Sequence, residues 1–176
     1  MPVLSDEAIL AALDAGQLEI EPFDANGLTP NGYDLRIGEV ALAGGEPVAE
    51  GTINVPPQAR FAVSTLERVA CSPSLCGQLW LRSTWARRGV QASFGKVDAG
   101  FDGTLTLPGL NSSAEPLELA VGETYCQLVI EALTSPASGT YGNRSGNYQN
   151  QRGVTWRCHA SGARPLQRSR RRHPIP

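Results

Sequence analysis

The sequence predicts a mainly β domain, a sandwich or barrel-like fold with one short helix at its start. Three observations carry this reading. Glycine and proline supply 19 and 13 of the 176 residues, a density of backbone punctuation too high for a helical bundle. Short, often alternating apolar segments recur along most of the chain, each bounded by Gly, Pro, Asn or Asp. At 41% apolar and 18% charged, the chain can fill one interior, and its length suits a single domain.

Taken in order, SDEAILAALDAGQLEI reads as one amphipathic helix. Ser5 or Asp6 can cap it, Ile9, Leu10 and Leu13 fall on one face, and Gly16 can end it. The stretch from Pro30 to Arg36 reads as a turn running into a strand. EVALA, TINV, RFAVST, LERVAC, GQLWLRS, TLTL, LELAV and YCQLVIEAL then follow as strands. Asp102-Gly103 carries the signal of a hairpin turn. From Ser135 onward the chain is rich in Gly, Asn and Gln, and no propensity makes it regular. There is no internal repeat.

Several function classes drop out. No stretch approaches 18 consecutive apolar residues, so no membrane-spanning helix and no membrane partner are expected. The opening MPVLSDEAIL lacks the basic region and apolar run of a secretory signal, which makes a cytoplasmic location the expectation. The net charge of −2 conceals an asymmetry: no acidic residue follows Glu131, whereas Arg144, Arg152, Arg157, Arg164, Arg168, Arg170, Arg171 and Arg172 all do. The terminal RPLQRSRRRHPIP reads as a solvated tail rather than a nucleic-acid arm, because it has neither aromatic interleaving nor helical periodicity. A domain over 1–157 and a tail over 158–176 are the expected boundaries. Cys71, Cys76, Cys126 and Cys158 follow no zinc spacing, and His159 and His173 both lie near the end. A zinc deaminase needs H-x-E and P-C-x-x-C; the cysteines read instead as small buried thiols of a reducing compartment.

Five segments place polar groups where the strand pattern breaks. Pro30–Arg36 is the first. In Leu81–Gly89, Arg82 and Arg87 offer forked donors and Ser83 and Thr84 add hydroxyls, a composition suited to phosphate oxygens. Read as a helix, Ser83 and Arg87 share one face and Thr84 and Arg88 the next. Lys96–Gly103 sets the Asp98 carboxylate just before a glycine and an aromatic ring, which suits an acid at a tight turn beside a platform for a flat or sugar ligand. Gly122–Ile130 and Tyr141–Gly153 complete the set.

In this order the segments resemble the dCTP deaminase/dUTPase superfamily, from about Leu4 to Arg157. NGYDLRIG is similar to S-Y-D-L-R-L-G, LRSTWARRGV to R-S-S-L-A-R-L-G-L, and KVDAGFDG to I-D-P-G-F-x-G. GETYCQLVIE is similar to G-x-x-I-x-Q-L-x-F-E, and YGNRSGNYQNQRG to the deaminase-type Y-G…K-Y-Q-G-Q-x-G. The resemblance implies a distorted β-barrel or jelly roll of the dUTPase type, a homotrimer with sites between subunits, and a deoxynucleoside triphosphate (dUTP or dCTP) bound with Mg²⁺ held mainly by the phosphates. It implies that Arg82, Ser83 and Thr84 bind phosphate and that Arg87 is an active-site arginine. Asp98 would meet the deoxyribose 3′-hydroxyl and could activate water, Phe101 would pack on the sugar, and Gln127, Tyr141, Tyr148 and Gln151 would contact nucleotide.

Departures from the pattern shape the expected activity. The deaminase glutamate, ten residues after the aspartate, is here Pro108, which can neither take nor give the protons that replacement of the cytosine amine requires. Glu115 and Glu118 lie further on, past a turn. The lysine expected before Tyr148 is Asn147, and the Gly89–Asp98 interval is about two residues shorter than the deaminase pattern, which alters the base-recognition hairpin. The leading expectation is therefore a dUTPase-type pyrophosphohydrolase giving dUMP and pyrophosphate. The alternatives are a dCTP deaminase with a relocated acid/base and a non-catalytic deoxynucleotide-binding regulator.

Overall fold

The computed structural model describes residues 2–156. The basic tail, Arg157, Cys158 and both histidines lie outside the described residues. The elements in chain order are α1 (Asp6–Asp14), β1 (Leu18–Glu21), a 3-10 turn (Ala25–Gly27), β2 (Leu28–Thr29), β3 (Gly32–Leu42), β4 (Thr52–Val55), β5 (Arg60–Thr65), β6 (Arg68–Cys71) and β7 (Leu75–Leu81). They continue with α2 (Ser83–Arg87), β8 (Val90–Gln91), β9 (Lys96–Val97), β10 (Asp102–Gly103), β11 (Thr106–Asn111), β12 (Leu117–Ala120), β13 (Thr124–Ala132) and α3 (Tyr141–Arg144). The fold is mainly β, as the sequence predicts. Among the described residues, no helix is long and apolar enough to cross a membrane.

The expected first helix is cut short. Ser5 caps α1, its hydroxyl accepting from the Ala8 N–H at 3.3 Å, but the helix stops at Asp14 and Gly16 takes a left-handed φ of 63°. Beyond it Leu18–Glu21 alternates buried and exposed and pairs with Arg68–Cys71 as β1. The period changes from helix to strand at the glycine, so the glycine closes the helix well before Ile20. Ile9 and Ala12 are the buried positions, while Leu10 turns outward.

One curled sheet dominates, with strand order β8-β11-β5-β3-β13-β7-β9 and β2 added to β3. Small sheets β1-β6-β10 and β12-β4 flank it. The long strand β3 changes partner midway: Tyr33–Arg36 pair with β13, and Ile37–Leu42 with β5, each ladder interrupted by a register shift. A bulge bends a strand and raises its twist, and here two of them curl the sheet into a half-barrel. Gly38 sits at the bend, where a Cβ would lie 2.8 Å from the Leu66 Cα. Inward-facing Tyr33, Leu35, Ile37, Val40, Phe61, Val63, Leu128 and Ile130 fill the concave side, each at most 1% exposed.

The bend is held by charge. The Glu67 carboxylate, fully buried, accepts from the Arg36 backbone N–H at 2.9 Å and from its Nε at 2.6 Å. Arg36 also donates to the Pro22 carbonyl at 3.3 Å. Removing one partner of a buried pair strands the other. Glu67→Gln is therefore expected to lower unfolding stability by about 3 kcal/mol, read as a drop in the denaturant midpoint with an unchanged slope.

Asp102-Gly103 is a strand rather than a hairpin turn. Arg68 clamps the Asp102 carboxylate through Nε and Nη2, both at 2.6 Å, and β10 pairs with β6. The turn falls earlier, at Ala99-Gly100, where the Phe101 N–H donates to the Asp98 carbonyl at 3.0 Å. Cys71, Cys76 and Cys126 are buried and unpaired. Burial pushes the Cys71 thiol up to about 12 and also raises Cys76 and Cys126 above the ordinary value. At pH 8, iodoacetamide should leave all three unlabelled in the native chain and label all three in urea, read by peptide mass spectrometry. Because these thiols stay neutral in the fold, their contribution is fully present below the ordinary thiol pKa and is lost as the pH climbs past it.

Candidate active site

The Arg82–Arg87 segment is positioned by its tryptophan. The Arg82 N–H donates to the Tyr125 carbonyl at 3.1 Å at the end of β7. Trp85, 1% exposed, then pins the five-residue α2, donating from Nε1 to the Thr124 carbonyl at 2.8 Å. With one face of so short a helix fixed, Ser83, Thr84 and Arg87 are left exposed. Arg82 forms an ion pair with Asp34, whose other oxygen, Oδ1, is buried without a hydrogen-bond partner. Arg82, Ser83 and Gln127 line one surface hollow of about 360 Å³ with Thr29, Asp34 and Trp80. Gln127 donates to the Thr29 hydroxyl at 3.1 Å. Thr84 and Arg87 are outside that lining, and Arg88 stacks over Trp85, 4.5 Å from the ring centroid.

The Asp98 turn is built from a different part of the sheet. β9 delivers Asp98 from the β7 edge, and Gly100, at φ 80°, turns the chain so that Phe101 enters the interior at 5% exposure. Tyr141 packs edge-on against Phe101 with centroids 5.5 Å apart, and its N–H donates to the Ala99 carbonyl at 2.8 Å. The irregular C-terminal segment then lies along residues 100–106. Asn150 N–H donates to the Asp102 carbonyl at 2.7 Å, and Thr104 N–H to the Gln151 carbonyl at 3.1 Å. Gln151 Nε2 donates to the Thr104 carbonyl at 2.5 Å, and Val154 N–H to Glu39 Oε2 at 2.9 Å.

These contacts border an open-sided cavity of about 320 Å³ lined by Asp98, Phe101, Tyr141, Tyr148 and Gln151, together with Phe94, Lys96, Thr106 and Pro108. β9 and β11 stand near opposite ends of the strand order, yet both wall this space. The curl of the sheet is what brings them together. Asp98 is the one carboxylate on this lining among the described residues, and Gln151 Oε1 is buried without a hydrogen-bond partner.

The structure thus gathers Asp98, Phe101, Tyr141, Tyr148 and Gln151 in one cavity and Arg82, Ser83 and Gln127 in another. Pro108 is exposed on the first cavity's wall, opposite Ala62 of β5, at a point β8 has not yet reached, a place where a strand tolerates the missing N–H. Glu115 and Glu118 are exposed and absent from that wall, so neither takes the place of the missing glutamate. The Gly89–Asp98 segment does not close on itself: β8 pairs with β11 and β9 with β7. Sequence reasoning placed Asp34, Lys96 and Arg144 inside the singled-out segments without giving them a role; the structure pairs Asp34 with Arg82.

Residues 46–133 match the family model described as dCTP deaminase-like. A dCTP deaminase of Pyrococcus horikoshii is 42% identical over 136 residues, covering 76% of this chain and 85% of that protein. The Aquifex aeolicus protein named dCTP deaminase, dUMP-forming, is 32% identical over 168 residues, covering 86% and 92%. The crystal structure of 2′-deoxycytidine 5′-triphosphate deaminase from Agrobacterium tumefaciens superposes with a TM-score of 0.63 at 18% identity, over 73% of this chain and 48% of that one. The chain belongs to the dCTP deaminase-like family and has the dUTPase/dCTP deaminase fold.

Gly100 couples the Asp98 turn to the C-terminal segment: a Cβ there would lie 2.4 Å from the Thr140 Cβ, at a φ that side chains rarely adopt. Gly100→Ala should therefore loosen the segment and speed tryptic cleavage after Arg144 several-fold, followed by gel or mass spectrometry.

Proposed function

We propose that the protein is a dCTP deaminase, adding water at C4 of cytosine and releasing ammonia to leave dUTP. The observation that carries this reading is the cavity that joins Asp98, Phe101 and Gln151 under the C-terminal segment; the names of its relatives support it. The Asp98 carboxylate would accept from the deoxyribose 3′-hydroxyl. The Phe101 ring would underlie the sugar and leave no room for a 2′-hydroxyl. The base would lie toward Thr106 and Pro108, with Gln151 Oε1 available to a donor on its edge, and Tyr141 and Tyr148 closing the C-terminal side. Arg82, Ser83, Thr84 and Arg87 would take phosphate oxygens.

In this reading the site is completed between subunits. The Arg82 and Asp98 cavities have separate linings, so a symmetric trimer setting one chain's Arg82–Arg87 segment against a neighbour's Asp98 cavity would supply both to one nucleotide. Trp80, 58% exposed beside the Arg82 hollow, fits a surface that a neighbour covers. Among the described residues no three His, Cys, Asp or Glu side chains stand together to hold a metal. Mg²⁺ would arrive on the phosphates, where it would offset their charge. With Pro108 in the wall, proton movement at C4 would run through Thr106, Tyr148 and bound water, a weaker relay than a carboxylate.

A second reading, hydrolysis of dUTP to dUMP and pyrophosphate, is favoured by one observation: the carboxylate facing the cavity is Asp98, the group that could activate water at a phosphate. Incubation with dCTP and with dUTP at adequate Mg²⁺, with chromatography of all products, separates the two. Deamination predicts ammonia equimolar with dUTP formed from dCTP, loss of that activity in Asp98→Ala, and at least about a tenfold gain in Pro108→Glu. Pyrophosphate without ammonia would select the hydrolase, and tight binding without either product would refute both.

A further inference from the structure

We infer that the site takes deoxycytidine nucleotides bearing an anionic, oxygen-rich group at C5 of the base, which Arg60 binds beyond Pro108. The inference rests on the nucleotide reading above and narrows its substrate class. A hollow of about 330 Å³ adjoins the Asp98 cavity, and Thr106, Pro108, Tyr148 and Gln151 line both. It then runs on to Ala62, Arg60 and Trp156. The sheet register explains the opening. In the antiparallel β11–β5 ladder Pro108 stands opposite Ala62, and Leu110 opposite Arg60. Side chains two apart on a strand share a face, so Arg60 and Ala62 lie on one side of β5 while Phe61 and Val63 turn to the core. Short side chains at 62, 106 and 108 leave space past the base, and Arg60 stands where that space ends.

Arg60 is the one charged side chain on this lining among the described residues, and it forms no ion pair with any of them. Glu39, across from Ser64 on β3, is held by the Val154 N–H at 2.9 Å and lies outside the lining. A carboxylate at position 108 would repel an anion here; Pro108 leaves the wall neutral and the guanidinium unopposed. An uncommitted guanidinium fork takes a carboxylate in bidentate fashion. Trp156, 39% exposed, supplies an apolar flank beside it.

The chemistry of the base selects the position of the group. The amine at C4 is the one that reacts, so a substituent cannot replace it. C6 adjoins the nitrogen that carries the sugar and faces the Asp98 and Phe101 side. C5 adjoins C4, and a group there leaves the amine in place and projects past Pro108 toward Arg60.

The test is equilibrium binding of dCTP, 5-methyl-dCTP and 5-carboxy-dCTP to wild type, Arg60→Gln and Arg60→Glu. In wild type the methyl group should cost less than about threefold against dCTP, and the carboxylate should bind at least about fivefold tighter than the methyl. That ratio of carboxylate to methyl affinity should fall to about one in Arg60→Gln and below one in Arg60→Glu. It is read within each protein, so a general loss of nucleotide binding cancels. Exclusion of 5-methyl-dCTP from a wild type that binds dCTP would overturn the inference and leave the nucleotide reading in place. So would a wild-type ratio near one, or a ratio that survives Arg60→Gln. A wild-type chain that binds none of the three would overturn the reading on which the inference rests. Arg60 is exposed, and matching thermal melts of the three proteins verify that the variants fold.

Discussion

The Arg36–Glu67 ion pair is the constraint on which the architecture turns. Glu67 lies in the β5–β6 connection and Arg36 at the midpoint of β3, so their contact fixes where β3 leaves β13 and takes up β5. Without a fixed crossover the sheet would flatten or slip register, and a one-residue slip would send Tyr33 and Leu35 to the wrong face. The curl that follows brings β9 and β11, near opposite ends of the strand order, to the walls of one cavity. A charged pair that is fully buried on one side thus sets the geometry of a site to which neither partner contributes.

A second layer of polar contacts adds a further wall to that cavity. Arg68 holds Asp102, Asp102 holds Asn150 through its carbonyl, and Thr104 and Gln151 exchange bonds across the same gap. The C-terminal segment has little regular structure, so these bonds to residues 100–106 and the ring contact of Tyr141 with Phe101 hold it in place. The segment adds Tyr141, Tyr148 and Gln151 to the lining. Closure and site composition are therefore one event, and the glycine at 100 is where turn and segment touch.

The strands and the site motifs were legible because each has a local signature. Gly100 turns before Phe101, Trp85 is the buried residue of a helix otherwise made of small and charged residues, and YCQLVIEAL is apolar at all but Gln127 and Glu131, as a central strand is. Other features depend on partners distant in sequence. Leu18–Ile20 looks like a continuation of α1 until Arg68–Cys71 pairs with it, and Asp102-Gly103 looks like a turn until Arg68 takes the carboxylate. The split of the candidate site into two cavities depends on pairing too, since Arg82 follows the C-terminal end of β7 and Asp98, leaving the antiparallel β9, lies toward its N-terminal end.

Pro108 is the residue that sets this chain apart from the deaminase pattern, because it removes a carboxylate from the cavity wall and keeps the strand. The account makes that wall the base-binding surface and Asp98 and Phe101 the sugar platform. A crystal structure with a non-hydrolysable dCTP analogue and Mg²⁺ tests this most directly. The account predicts the pyrimidine ring beside Thr106, Pro108 and Gln151, with the deoxyribose on Phe101 and its 3′-hydroxyl on Asp98. A nucleotide bound only in the Thr29–Gln127 hollow, or with its base away from Pro108, would contradict it.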